Sequence, residues 1–307
     1  MSLPGYLLAL RRILRTVHAT VVHSNGVKAH VAAALIKPDG VRLVWHLHDY
    51  VRSRPLSLRI LRRLAGRADA IVANSDSVLG DATAAFTRAH GLTRIYNAVD
   101  PQSFSPEGPR LSLAERSGLP PDDGLVRIGL VATFARWKGQ DVFLDALARL
   151  AGRYPLRGYI IGGPIYETSG SQWSVEELRA KTAERGLSGI VGFTGQVDDV
   201  PAALRSLDIV VHASTEPEPF GMVIAEAMAV RRAVVVARSG GAAELFDDGV
   251  TALGYAPGDA ASLADRLEEL ILNRARREVL ASRARTAALE RFSPERMAMA
   301  FREVYAR

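Results

Sequence analysis

Cysteine is absent from the 307 residues, and lysine supplies only four of the 39 basic side chains. Without cysteine there is neither a disulfide framework nor a thiolate metal site, so the chain is compatible with a reducing compartment. No apolar run reaches the ~20 residues that cross a bilayer. The opening MSLPGYLLALRRILR is predicted not to be a signal peptide, because its apolar part is short and is followed by arginine. We therefore expect a cytoplasmic location.

Several short motifs of well-known enzyme classes are also missing. The chain has no GxGxxG, no GxxxxGK[ST], no HExxH and no GxSxG, which argues against dehydrogenases, P-loop kinases, zinc proteases and serine hydrolases. It also lacks an Asp-X-Asp pair that could hold a metal against a sugar diphosphate. We expect neither a metal nor a cofactor.

Acidic residues are absent from one strongly basic segment. From Arg52 to Arg67 there are six arginines and no carboxylate. Such a segment could face phosphate or anionic lipid at the inner face of a membrane, or it could be a solvated helix face. Nucleic acid is not expected, because no aromatic residues interleave the arginines as stacking platforms.

What the sequence does contain is an alternation of short β-branched runs and longer helical patterns. Bare hydrophobic runs are typical of parallel strands covered on both faces, and strand–helix alternation predicts an α/β doubly wound fold. We predict strands at 20–24, 42–47, 70–74, 94–97, 126–133, 159–162, 190–194, 209–213 and 233–237. We predict helices at 27–37, 56–66, 139–153, 174–186, 222–230 and 262–272.

A stretch rich in Pro, Gly and Asp separates two lobes. We assign 1–108 to a first lobe, 109–124 to a linker, 125–290 to a second lobe and 291–307 to a C-terminal helix that could cross the lobe boundary. The first lobe begins in a helix and offers four strands. It lacks the initial strand and Gly-rich turn with which open nucleotide-binding sheets usually start, so it looks incomplete.

The most informative block is STEPEPFGMVIAE, which follows the strand predicted at 209–213. Ligands of open α/β folds bind at the carboxyl edge of the sheet. Phe220, Gly221, Met222 and Val223 open a helix whose first N–H groups suit a diphosphate. Glu218 and the residue eight positions later, Glu226, could accept hydrogen bonds from sugar hydroxyls. The pattern predicts a nucleotide-sugar site.

At these residues the chain resembles glycosyltransferase family 4, a family of retaining enzymes with the GT-B fold, in which two Rossmann-like lobes face each other. Glu218 and Glu226 are similar to the family's Glu-X7-Glu signature. The resemblance runs from about Val21 to the end, and it is densest in GLVATFARWKG, IVGFTGQVDDVPAALRSL and residues 212–258.

The resemblance implies roles for individual residues on the donor side. Glu218 would contact hydroxyls of the donor sugar, and Glu226 would bind the ribose. Lys138 would neutralise the diphosphate, where a fixed cation stabilises the leaving group. Many members carry an arginine where this chain has Thr133, so Arg136 is the candidate substitute. The further donor-binding candidates are Gly162, Val197, Phe220, Gly221, Met222 and Val223.

The first lobe carries the acceptor-side candidates. His48, in the block HLHDY, is similar to the family histidine near the reacting sugar, although a histidine at a strand end is often only a packed, hydrogen-bonded residue. Asn25, Asp49 and Ser75 are further acceptor-side candidates. The catalytic candidates are therefore His48, Lys138 and Glu218.

The resemblance implies a hexosyltransferase that moves a sugar from a nucleoside diphosphate-sugar to a glycan or lipid-linked acceptor in cell-envelope polysaccharide biosynthesis. Configuration would be retained and no metal required. Two alternatives stay open: a non-catalytic or truncated member that binds nucleotide-sugar or a partner, and a nucleotide-sugar epimerase of the same fold.

Overall fold

The computed structural model describes residues 2–87, 91–164 and 170–307, and the chain divides into two compact units. Unit 1 contains the chain up to Asn97 together with Pro294–Arg307, and unit 2 is Ala98–Ser293. Each unit has its own parallel sheet.

Unit 1 alternates helices and strands along the chain. The elements are α1 (Leu3–Thr16), β1 (Val21–Asn25), α2 (Val27–Ile36), β2 (Arg42–Leu47), α3 (Pro55–Leu64), β3 (Ala70–Ala73), α4 (Asp76–Ala85) and β4 (Leu92–Arg94). The four strands are parallel and lie in the order β1-β2-β3-β4.

Both faces of this sheet are covered, as its hydrophobic runs predict. Along β2, Leu43, Trp45 and Leu47 point into a core shared with the helices that follow the strands. Val44 packs with Phe301 on the opposite face, against the C-terminal helix, which is α12 (Pro294–Ala306) in the numbering used here. The last helix of the chain therefore belongs to unit 1.

Unit 2 is the larger unit. Its elements are α5 (Leu113–Arg116), β5 (Val126–Val131), α6 (Gln140–Leu150), β6 (Leu156–Ile161), α7 (Val175–Glu184), β7 (Val191–Gly195), α8 (Val200–Arg205), β8 (Ile209–His212), α9 (Met222–Ala229), β9 (Ala233–Ala237), β10 (Leu253–Tyr255), α10 (Ala260–Leu272) and α11 (Arg274–Arg291).

The strand order in unit 2 determines where a ligand can bind. The six parallel strands lie in the order β10-β9-β8-β5-β6-β7. The chain winds in one direction from β5 to β7 and in the other direction from β8 to β10, so β5 and β8 flank the topological switch point. In open α/β sheets the loops at the carboxyl ends of such strands form the ligand crevice.

The segment predicted as a linker is held against unit 2. It contains α5, and the Leu111 amide donates to the Ser206 hydroxyl at 2.8 Å. At its start, the Arg205 guanidinium donates to the carbonyl of Pro109 at 2.7 Å and to that of the preceding Ser105 at 3.1 Å. An almost completely buried arginine therefore fixes this irregular stretch through main-chain acceptors.

Candidate active site

The loop that carries Lys138 follows β5 and is anchored through its backbone. The Thr215 amide donates to the Trp137 carbonyl at 2.8 Å, which ties this loop to the one after β8. Gly139 has φ of 75°, and a Cβ atom there would lie 1.9 Å from the Ala213 carbonyl oxygen. Only glycine permits both the left-handed backbone and this close approach.

Glu218 lies at the centre of a buried polar cluster at the switch point. Its Oε2 atom accepts from the Lys138 ammonium at 2.7 Å and from the Ser214 hydroxyl at 2.8 Å, and it lies 3.3 Å from His212 Nε2. Glu218 is only 7% exposed. Its backbone carbonyl accepts from the Gly241 amide at 2.7 Å, which fixes the loop from the other side.

The Glu218 carboxyl is ionised in this environment. Burial alone would raise its pKa, but the hydrogen bond from His212 and the charge of Lys138 outweigh burial, and the pKa falls to about 2. A buried ion pair of this kind places a fixed cation and a fixed anion side by side at the sheet edge.

Helix α9 begins directly after this cluster. Gly221 is its N-terminal capping residue, with φ of 95°, and no side chain caps the helix. Phe220 is buried and its ring meets Phe292 edge to face. Met222 and Val223 form the first turn, whose N–H groups have no partner within the helix. The sequence-predicted helix N-terminus and its glycine therefore lie beside the Lys138–Glu218 pair.

Glu226 lies one turn into α9 and differs from Glu218 in its surroundings. It is partly buried, and within the described residues its carboxylate makes neither a hydrogen bond nor an ion pair. Burial raises its pKa to about 7. The pKa values of the two glutamates of the Glu-X7-Glu pattern are thus shifted in opposite directions.

The Arg136 side chain contacts Glu177 and Trp173 rather than Glu218. Its guanidinium forms an ion pair with Glu177 at 3.0 Å and stacks 3.7 Å from the centre of the Trp173 ring. Its backbone amide donates to the Ser171 carbonyl. Arg136 therefore joins its own loop to the start of α7, and it forms no ion pair with Glu218.

The remaining donor-side candidates lie at neighbouring strand ends. Gly162 follows β6 with φ of 135°, and a Cβ there would meet the Ala132 carbonyl oxygen at 2.0 Å. Val197 follows β7 and is partly buried. Since β5, β6 and β7 are adjacent and parallel, these residues share the carboxyl edge of the sheet with Lys138.

In unit 1, His48 and Asp49 line a cavity of about 130 Å³ beyond the carboxyl end of β2. Asp49 pairs with Arg54 at 2.7 Å. Burial and the neighbouring His23 lower the pKa of His48. Its ring lies 4.0 Å, centre to centre, from that of His46, whose pKa falls to about 3, mainly through burial. We expect neutral imidazoles here at pH 7.

Asn25 and Ser75 lie outside the lining of that cavity. Asn25 is the exposed last residue of β1. The Ser75 hydroxyl is buried and accepts from the Val78 amide at 3.0 Å, so it caps α4. The sequence places Ser75 at a strand end but does not reveal this capping contact.

Sequence reasoning assigned no role to His212 or Ser214, which both contact Glu218. A signal for them existed: both lie within two residues of the end of β8, at the edge where ligand-binding side chains collect. The sequence places these two residues at the sheet edge but does not predict their contacts with Glu218, because those contacts depend on the conformation of the 213–217 loop.

The described residues contain no group of three or more His, Asp or Glu side chains arranged to hold a metal ion. In the same residues, no helix is long and apolar enough to cross a bilayer.

Comparison with known proteins agrees with this architecture. Residues 114–287 match the family described as glycosyl transferases group 1, and residues 2–103 match glycosyltransferase family 4. The chain is 30% identical over 293 residues to D-inositol 3-phosphate glycosyltransferase 2 of Catenulispora acidiphila, covering 85% of this chain and 67% of that protein. It is 27% identical to the lipopolysaccharide core mannosyltransferase LpsB of Rhizobium meliloti, covering 85% and 78%.

Among solved structures, Anabaena HepE in complex with UDP is similar over 98% of this chain and 81% of its own, with a TM-score of 0.87 and 28% identity. HepE has also been crystallised with UDP-glucose. The two Rossmann-like parallel sheets and these neighbours confirm the predicted GT-B fold. The chain belongs to the glycosyl transferases group 1 family and is a glycosyltransferase of the GT-B fold.

Proposed function

We propose that this protein transfers a hexose from a nucleoside diphosphate-sugar to an acceptor hydroxyl with retention of configuration and without a metal ion. The observation that carries the proposal is the buried Lys138–Glu218 pair beside the N-terminus of α9, at the switch point of the unit 2 sheet. Binding of UDP and UDP-glucose by HepE supports a nucleotide-sugar as the donor.

The donor-side roles follow from charge and position. The Lys138 ammonium and the first N–H groups of α9 face the developing negative charge of the diphosphate leaving group. Glu218, fixed as a carboxylate, accepts from sugar hydroxyls. Glu226, which lacks a partner among the described residues, accepts from ribose hydroxyls. Val197 offers its backbone to the base.

Arg136 takes a positioning role in this proposal. Because its guanidinium is engaged by Glu177 and Trp173, it holds the loop that presents Lys138. For His48, on unit 1, we retain the role near the reacting sugar that the family resemblance implies.

We propose that the acceptor attacks the face from which the diphosphate departs. A donor phosphate oxygen takes the acceptor proton, so the proton that leaves the acceptor hydroxyl travels with the leaving group. The protein then needs no covalent nucleophile, and its contribution is positioning and charge stabilisation.

The acceptor is proposed to be a glycan or a lipid-linked sugar of the cell envelope, reached at the inner face of the membrane. The segment from Arg52 to Arg67 supports peripheral contact with anionic lipid. Helix α3 in this segment exposes Leu56 (78%) and Ile60 (47%) between its arginines, an arrangement suited to the bilayer interface. Flotation with anionic liposomes tests this contact, and absence of salt-sensitive binding argues against it.

The central experiment is a panel of nucleotide-sugars measured by thermal shift and then by turnover. A donor that binds the native state raises the apparent Tm. The proposal expects free nucleoside diphosphate only when acceptor is present, activity in EDTA, and a product whose anomeric configuration matches the donor by NMR. Binding without turnover would indicate the non-catalytic alternative, and an isomerised donor would indicate an epimerase.

A further inference from the structure

A second cavity lies in unit 1, at the amino ends of the two central strands β2 and β3. It measures about 480 Å³ and is lined by the loop from Lys37 to Arg42 and by the residues Gly66, Arg67 and Asp69. His48 and Asp49 follow the carboxyl end of β2, so this cavity occupies the opposite edge of the sheet. Its size is within the range of small-ligand sites.

The charges in this cavity are only partly compensated. The Asp69 carboxylate accepts from the Lys37 ammonium at 2.6 Å and from the Leu43 amide at 2.7 Å. Burial opposes ionisation of Asp69, but these hydrogen bonds outweigh it and its pKa is lowered. The Lys37 ammonium also donates to the Arg67 carbonyl at 3.2 Å. Lys37 and Asp69 therefore neutralise each other.

Besides the Lys37–Asp69 pair, the lining contains the guanidinium groups of Arg42 and Arg67 and a single further carboxylate, that of Asp39. The Nε atom of Arg42 is buried, and no acceptor for it exists among the residues that the structure describes. Arg67 is exposed at the end of the basic segment. A buried donor without an acceptor is unfavourable, because it has lost its water and gained nothing in exchange. Because the Arg42 side chain also lines the cavity, an anion with several oxygens bound there can accept from its guanidinium.

The wider electrostatics favour the same class of ligand. Residues 1–67 contain twelve Lys and Arg and only two acids, whereas the remaining 240 residues contain 27 basic and 31 acidic residues. The net positive charge of the chain is thus concentrated in residues 1–67, which supply all of the cavity lining except Asp69. Such a field raises the local concentration of anions.

We propose that this cavity is a phosphate-binding site, in which the forked guanidinium of Arg42 and that of Arg67 take a phosphate oxyanion. The phosphate belongs either to a soluble phosphorylated compound or to a phospholipid headgroup. The inference does not depend on the proposed transfer reaction, because none of the donor-side residues lies in the cavity.

The test is an NMR titration of the arginine Nε–Hε signals with inorganic phosphate at pH 6, using the full chain. The buried Arg42 signal is assigned by its disappearance in the Arg42→Gln variant. We expect a saturable shift of this signal at millimolar phosphate. Phosphate bound at the donor site does not affect the result, because the reporter is Arg42 itself. A second arm uses dihexanoyl phosphatidic acid below its micelle concentration.

The matched variants are Arg67→Ala and Arg63→Ala, which remove the same charge from exposed positions inside and outside the cavity lining. We expect at least fivefold weaker phosphate binding in the first and unchanged binding in the second. Tighter binding of the lipid than of phosphate assigns the site to a headgroup, and equal binding assigns it to a soluble phosphate. An unshifted Arg42 signal, or equal weakening by both variants, overturns the proposal.

Discussion

The two glutamates of the Glu-X7-Glu pattern lead to a pH test of donor binding. The pKa of Glu226 is raised to about 7 by burial alone, so below pH 7 the free protein holds this carboxyl mostly protonated. Ribose hydroxyls donate hydrogen bonds better to a carboxylate than to a carboxylic acid. Binding of a nucleotide-sugar should therefore favour the ionised form and release a proton.

The magnitude follows from linkage. If the pKa of Glu226 returns in the complex to the ordinary value of about 4.3, the free protein must ionise before it binds. At pH 6 this ionisation weakens binding by about tenfold relative to pH 8, which corresponds to about 1.4 kcal/mol. The Kd should fall as pH rises through 7 and level off near pH 8.

Isothermal titration calorimetry at pH 6, 7 and 8, in buffers of different ionisation enthalpy, measures both the Kd and the proton release. The titrant should be the nucleotide-sugar selected by the panel rather than the free nucleoside diphosphate, because a terminal phosphate itself titrates near pH 6. Glu226→Gln is the matched control, and its Kd should lack this pH dependence. A constant Kd in the unchanged protein, or a slope that survives Glu226→Gln, would refute the reasoning.

Three further predictions concern named side chains. Lys138→Met should lower kcat by about 10²–10³, the cost of removing one transition-state charge contact. Lys181→Met, which removes a lysine stacked on Trp173, should leave steady-state rates nearly unchanged. Gly139→Ala should lower the free energy of unfolding by several kcal/mol more than Gly152→Ala in urea titrations. Both glycines have φ near 76°, but only Gly139 has a close neighbour, a carbonyl 1.9 Å from the added Cβ. Because the folded-state pKa of His46 is about 3, below its unfolded value of 6.5, its contribution is present above pH 6.5 and lost as pH falls toward 3. Urea midpoints should therefore decrease from pH 7 to pH 4, and less steeply in His46→Leu.

Hydrophobic runs were sufficient to locate most of the fold. The strands 42–47 and 233–237 were predicted with the observed bounds, and the first strand within a residue at each end. The fourth strand lies at Leu92–Arg94 rather than at 94–97, because only its pairing with β3, a tertiary contact, fixes where it begins. Strand β10 was missed because it is only three residues long and has glycine at its centre.

Helices were predicted where their apolar face was regular. Helix α11 was missed because it is rich in arginine and buries only alanines and one leucine, Leu280, so it lacks a strong apolar period. Helix α8 was missed because it is only six residues long. Helix α4 was also missed, because its buried side chains are small, it contains glycine, and the Ser75 cap that begins it is visible only in the structure.

The candidate site was predicted by residue type and position but not by contact. A strand end followed by a helix start indicated Glu218 and its neighbours, and the family resemblance around Lys138 indicated that residue. Local sequence cannot show that Arg136 turns toward Glu177, since that partner lies 41 positions away. Nor can it show that His212 and Ser214 share one carboxylate oxygen with Lys138, because that depends on the folded loop.

The two glutamates of the Glu-X7-Glu pattern, Glu218 and Glu226, respond differently to burial of the carboxyl group. Glu218 stays charged because Lys138, Ser214 and His212 supply donors, and its pKa is about 2. Glu226 has no such donors in the described residues, and burial moves its pKa to about 7. The loop that presents Lys138 is fixed by main-chain bonds and by the approach of Gly139 to Ala213, not by the ion pair alone. Lys138 can therefore share its ammonium with an incoming diphosphate without loss of the loop. A bound donor would supply Glu226 with the hydrogen-bond donors that it lacks in the described residues, whereas Glu218 already has its donors in the free protein. The pH dependence of donor binding should therefore come from Glu226.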